Sequence, residues 1–197
     1  MANRAVFFSV DALTHVVRKR GEAVRVARPH AIESLRALYE AGVHLFIVRT
    51  AQKAEGESVE AAVRKAKGEL IAAGIPLAFF RGVRAVPNPA KSFADAQRED
   101  EAQSLSEYSN YSLGWSGSAQ AMLLTALLKE HKIHHAVSVA GEDELDHRLA
   151  ATNYFKSYEA PALKGELAYL RVESPYEGRP QSFKPHFERI RQLLHFE

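Results

Sequence analysis

Short runs of apolar, β-branched and aromatic residues recur along this chain with segments of helical periodicity between them. That alternation limits the folds open to it more than any other feature. The first run, Ala5-Val6-Phe7-Phe8-Ser9-Val10, is brief and almost wholly apolar, the pattern of a strand covered on both faces. His44–Val48, Pro76–Phe80 and His135–Ala140 repeat it, and Leu167–Val172 adds a further strand. Between the first two runs, Val16–Arg28 alternates around Gly21 as a polar hairpin would. Pro29 then opens a helix with Ala31, Leu35, Leu38 and Tyr39 on one face and Gly42 just past its end.

Ser58 is placed to N-cap a helix running to about Ala73, its hydroxyl accepting from a free amide of the first turn. Residues 119–130 form a strongly apolar helix. A helix over residues 143–151, a short strand near 154–158 and a terminal amphipathic helix over 185–194 complete the expectation. Residues 81–117 lose periodicity and read as a long surface excursion rich in Ser, Asn, Pro and charge, with room for a short helix near 94–105. Strands alternating with helices imply right-handed crossovers. The expected fold is therefore α/β: a three-layer, Rossmann-like, mostly parallel sheet with helices on both faces and no large cap domain.

Composition narrows the function classes. With 197 residues the chain is expected to be a single domain, residues 1–197. It has no cysteine, which excludes disulfides, thiolate metal sites and a cysteine nucleophile. The 26 basic residues nearly balance the 24 acidic ones, too even a total to argue for nucleic acid or membrane by itself. Apolar runs fall far short of the roughly 20 residues of a membrane span. Met1–Arg4 is followed by no apolar stretch of signal-peptide length, so a cytoplasmic protein is expected.

In a parallel sheet of this kind ligands bind outside the carboxyl ends of the strands. The residues there are Ser9-Val10-Asp11-Ala12-Leu13-Thr14, then Ile47-Val48-Arg49-Thr50, and Gly141-Glu142-Asp143-Glu144-Leu145-Asp146, with Trp115-Ser116-Gly117-Ser118 before the apolar helix. In order and spacing these segments resemble the haloacid dehalogenase-like superfamily. Its strands end in D-x-D-G-T, in Thr or Ser, and in G-D-x-x-x-D, and a Lys precedes the helix to the fourth strand. The layout is similar to the small, nearly capless histidinol-phosphate and heptose-bisphosphate phosphatases, whose zinc loop requires cysteines that are absent here.

The resemblance implies roles, and several are held by altered residues. The nucleophilic Asp position is Ser9, while the acid/base Asp is kept as Asp11. The phosphate-holding position falls on Arg49, or on Thr50 one residue later, with Ser116 and Ser118 beside the missing Lys. A serine is a weak nucleophile without a base and a poor Mg²⁺ ligand. Asp11, Glu142 and Asp146 remain as metal-site carboxylates, so the cofactor is either none or Mg²⁺. The alternative for the same residues is that Asp11 and Glu142 cap turns and pair with Arg49. Ser9 is either a nucleophile with His15 as base or a small polar filler, and His15 is expected at the exposed mouth of the hairpin. Asp143 and Glu144 are expected in the first turn of the next helix.

The resemblance, with these losses, implies a degenerate pseudophosphatase acting as a binding or scaffolding module. The alternative is a divergent Mg-dependent phosphatase or hydrolase acting on a phosphorylated small molecule, with Asp11 as acid/base. Expected partners are a protein or a phosphorylated small molecule. A nucleic acid is the weaker expectation, resting on Arg18, Lys19, Arg20, Arg25 and Arg28 of the flap hairpin 16–28 and on Tyr108, Tyr111 and Trp115. Edge-protecting charge explains the same basic residues. His131, His134 and His135 read as turn chemistry rather than as a metal cluster.

Overall fold

A computed structural model describes residues 3–51, 57–87, 119–141, 144, 166–172 and 181–195. Five strands, β1 (Asn3–Phe8), β4 (His44–Thr50), β5 (Gly82–Val86), β6 (Ile133–Ala140) and β7 (Glu166–Arg171), form one sheet. Its order is β5-β4-β1-β6-β7, and all four pairings are parallel. A separate antiparallel hairpin joins β2 (Thr14–Lys19) to β3 (Glu22–Ala27). Arg20 and Gly21, at φ 52° and 87°, make its two-residue turn, in which both central residues take positive φ to match strand twist.

Period-two alternation divides the core into two layers. Val6, Phe8, Leu45, Ile47, Val137 and Val139 face α2 (Ala31–Glu40), α3 (Val59–Ala72) and α5 (Lys184–Leu193). Ala5, Phe7, Phe46 and Val48 face the helix over residues 119–130, here α4, through Leu124, Leu127 and Leu128. Phe7 and Phe46 stack across adjacent strands with ring centres 5.4 Å apart. Each such buried aromatic contributes about 2–3 kcal/mol of apolar burial. The fold is thus α/β, with a parallel sheet flanked by helices on both faces, and no described helix is long and apolar enough to cross a membrane.

Local signals placed most elements closely. Ser58 caps α3, its Oγ accepting from the Ala61 amide at 3.1 Å, and Gly42 at φ 76° ends the turn after α2. The third strand is a correction. Leu77–Phe79 is a 3₁₀ turn, and the strand lies instead at Gly82–Val86, inside the stretch expected to be a loop. Pro76 and the four apolar residues after it imitate a strand, whereas only two residues of the true strand, Val83 and Val86, are buried. The elements expected at 94–105, 143–151 and 154–158 lie outside the described residues, Glu144 apart.

Numbered in chain order, the sheet strands run 3-2-1-4-5. The chain leaves β1 toward β4 and β5, then returns to β6 on the other side of β1. That reversal opens a crevice beyond the carboxyl ends of β1 and β6, where ligands bind in sheets of this topology. Ser9 and Gly141 are the residues at its rim.

Candidate functional site

Ser9 follows β1 and caps the short helix α1 (Val10–Leu13). Its Oγ donates to the Asp11 carboxylate and accepts from the amides of Gly141 at 2.9 Å and Ala12 at 3.3 Å. A hydroxyl has one proton and two lone pairs, and here all three are engaged. Ser9 is also fully buried. It ties the ends of β1 and β6 to the α1 turn and offers no lone pair for attack on a substrate.

Asp11 packs its carboxylate directly over Gly141. An ideal Cβ on Gly141 would lie 2.4 Å from the Asp11 carboxylate and 2.8 Å from its backbone carbonyl carbon, so only glycine fits. Arg28, itself buried, donates from Nε (3.3 Å) and Nη2 (3.1 Å) to the Asp11 main-chain oxygen, fixing the base of the hairpin to α1.

The Mg²⁺ expectation has few donors here. With the Ser9 oxygen saturated, Asp11 is the only expected metal ligand among the described residues, whereas Mg²⁺ needs a near-octahedral set of oxygens. No group of three or more His, Asp or Glu suited to a metal occurs among the described residues, and Glu142 and Asp146 lie outside them. The donors among the described residues do not make up a set that fits the ion.

Arg49 and Thr50 are adjacent, so strand alternation sends them to opposite faces of the sheet. Arg49 turns toward α3, where its Nη1 lies 3.2 Å from Glu69 Oε2, and Arg25 Nε approaches the same oxygen at 3.8 Å. The partner expected from the sequence was Asp11 or Glu142. The observed carboxylate comes from α3 instead, and it clamps the hairpin to the sheet.

Thr50 turns toward α4 and meets Glu144. Its backbone amide donates to Glu144 Oε1 at 2.7 Å and its hydroxyl to Oε2 at 3.0 Å. Gln120 of α4 completes the set, its Nε2 donating to Glu144 Oε2 at 3.0 Å and to the Thr50 hydroxyl at 2.6 Å. Gln120 and Thr50 are buried, as is Glu144 at 7% exposure, so a carboxylate sits inside the protein held by three converging donors. Charge-assisted bonds of this kind offset the penalty of taking a carboxylate from water. This arrangement is an anion cradle, and its anion is a side chain of the same protein. Among the described residues Gln120 Oε1 has no hydrogen-bond partner.

His15 is a second correction. It is 7% exposed rather than open at the hairpin mouth, and no hydrogen bond joins it to Ser9. Burial, and then the nearby Arg28 charge, hold its imidazole below the usual histidine range. His44, at the amino end of β4, is lowered by burial first, then by Arg81 and His131. Both rings resist protonation in the folded state and accept it freely in the unfolded state. Stability is therefore retained above the ordinary value of 6.5 and falls as pH drops below it, until the folded rings themselves titrate. Melting temperature is expected to fall between pH 7 and 5, and the slope to flatten in a His15→Gln/His44→Gln double variant measured by calorimetry.

Of the other sites expected from the sequence, Ser116, Ser118, Glu142 and Asp146 lie outside the described residues, as do Tyr108, Tyr111 and Trp115. Of the five basic flap residues, Arg25 and Arg28 point inward and only Arg18, Lys19 and Arg20 remain exposed at the tip. His131 and Lys132, the latter at φ 51°, form the turn from α4 into β6, and His134 and His135 lie in β6 itself. Gln120 and Glu144 went unrecognised as partners of Thr50. Gln120 did carry a signal: it falls on the apolar stripe of α4 four and seven residues before Leu124 and Leu127, where a polar side chain needs a buried partner. The chain matches no protein-family model, no curated protein and no solved structure.

Proposed function

We propose that this chain is a degenerate haloacid dehalogenase-like protein that works as a non-catalytic binding or scaffolding module in the cytoplasm. The observation that carries this reading is the occupied cradle. Thr50, at the end of the second sheet strand, directs its amide and hydroxyl at an anion, as a phosphate-holding residue would, and Glu144 fills that place. A phosphoryl group entering there would have to displace a buried carboxylate held by Thr50 and Gln120 together.

The nucleophile position supports the same reading. Ser9 is buried with every hydrogen-bonding valence used, so a covalent phosphoserine-type intermediate has no starting atom there. Asp11 retains an acid/base side chain, but its carboxylate is already engaged by the Ser9 hydroxyl. The Arg49–Glu69 pair neutralises a charge that would otherwise attract phosphate. The partner on this reading is a protein, because the place that would hold a phosphorylated small molecule is taken by Glu144.

Turnover assays test this reading. With p-nitrophenyl phosphate and a panel of sugar and nucleoside phosphates, with and without Mg²⁺, the chain is expected to hydrolyse no faster than its Asp11→Asn variant. Hydrolysis that requires both Asp11 and Mg²⁺ would overturn the reading in favour of a divergent phosphatase with Asp11 as acid/base.

A further inference from the structure

At the opposite end of the sheet, before the first residues of β4 and β5, a cleft of about 270 Å³ opens between the end of α2 and the 3₁₀ turn. Tyr39, Gly42, Val43, Phe79, Phe80 and Arg81 line it. The backbone builds it firmly. Gly42 takes φ 76°, its amide bonding to the Tyr39 carbonyl at 3.0 Å, and the Arg81 amide bonds to the Leu45 carbonyl at 2.8 Å.

Two features of its lining call for a ligand. Tyr39 is 51% exposed and meets the half-buried Phe79 with ring centres 5.7 Å apart and planes tilted by 49°, an aromatic wall whose Tyr39 side is open to solvent. Arg81 is exposed, and its guanidinium makes no hydrogen bond or ion pair with any described residue. Among the described residues no acidic side chain lines the cleft. The Arg81 charge is felt locally, since it helps hold the neighbouring His44 in its neutral form.

We propose that this cleft binds a small aromatic carboxylate, its ring against Tyr39 and Phe79 and its carboxylate on the Arg81 fork. The chemistry selects each part. A guanidinium matches the two oxygens of a planar carboxylate with parallel bonds, and aromatic rings favour an aromatic partner in stacked or edge-on contact. The volume sits just under the roughly 300–1,000 Å³ of drug-sized pockets, which limits the ligand to about one ring. The site lies at the other end of the sheet from the Thr50–Glu144 cradle and does not depend on what that cradle does.

Titration of the full chain with sodium benzoate, followed by backbone amide shifts, tests it. Shifts at Tyr39, Gly42 and Arg81 are expected to saturate with Kd on the order of 1 mM or tighter. Benzamidine, which has the same ring with the opposite charge, is expected to give no saturable shift there. Arg81→Ala is expected to weaken benzoate at least 10-fold, and its exposed position leaves the fold intact. Equal binding of benzoate and benzamidine, benzoate shifts that do not saturate, or unchanged affinity in Arg81→Ala would each overturn the proposal. The benzamidine comparison uses the unaltered chain and stands whether or not the variant folds.

Discussion

Replacing Gly141 by alanine is expected to destabilise the protein by about 3 kcal/mol, the upper part of the range for forcing an extra methyl into a packed site. The new Cβ would fall 2.4 Å from the Asp11 carboxylate and 2.8 Å from the Asp11 carbonyl carbon. A side chain can swing aside, but the second contact is main chain, and α1 is held there by Arg28 and by the Ser9 cap. For a chain of this length the loss corresponds to a drop in melting temperature on the order of 10 °C. Adding Asp11→Ala to Gly141→Ala removes the closer contact and leaves the backbone contact, so partial recovery is expected. Thermal unfolding of the two single variants and the double variant reads this directly, and full recovery would show that the backbone contact carries no weight.

Glu144→Ala is expected to be as damaging for a different reason. It leaves the Thr50 amide, the Thr50 hydroxyl and the Gln120 amide group without their shared acceptor. A buried donor left unsatisfied costs about 1–3 kcal/mol, so a total of about 3 kcal/mol is expected once water takes part of the vacated space. Unlike Gly141→Ala, this loss is recoverable from outside. An oxyanion that enters the emptied cradle stabilises the folded state by mass action, so the variant's melting temperature is expected to rise with added inorganic phosphate. Glu144→Gln gives a milder version, since its amide keeps one oxygen for Thr50 while its NH₂ faces the Gln120 donor. A Glu144→Ala chain as stable as the parent would show that the cradle donors are satisfied elsewhere.

The contrast between strand order and site chemistry explains what could be read from the residues alone. The parallel sheet was legible because its buried strands are continuous apolar runs and the intervening helices carry their own boundary signals, such as the stop at Gly42 after α2 and the N-cap Ser58 before α3. The strand at Gly82–Val86 was not, because an edge strand with Arg84 exposed shows little apolar pattern, while Pro76–Phe80 shows too much. Positions at strand ends followed from topology: Ser9 and Asp11 come directly after β1, and Arg49 and Thr50 close β4. Their partners were not legible. Glu69, Gln120 and Glu144 reach Arg49 and Thr50 across 20, 70 and 94 residues of chain, and such distances leave no local periodicity. The alternation rule itself would have separated Arg49 from Thr50, since neighbours on a strand cannot serve one site from one face.

The same parity gives the site its character. One face of β4 carries an ion pair that fastens the hairpin, and the other carries an anion cradle closed by the protein's own carboxylate. Among the described residues, neither face presents a free nucleophile beside a free phosphate seat. Calorimetric titration of inorganic phosphate into the unaltered chain and into Glu144→Ala measures this most directly. No saturable heat is predicted for the unaltered chain, and one-site binding for the variant. Phosphate binding to the unaltered chain with an affinity that Glu144→Ala does not change would contradict it.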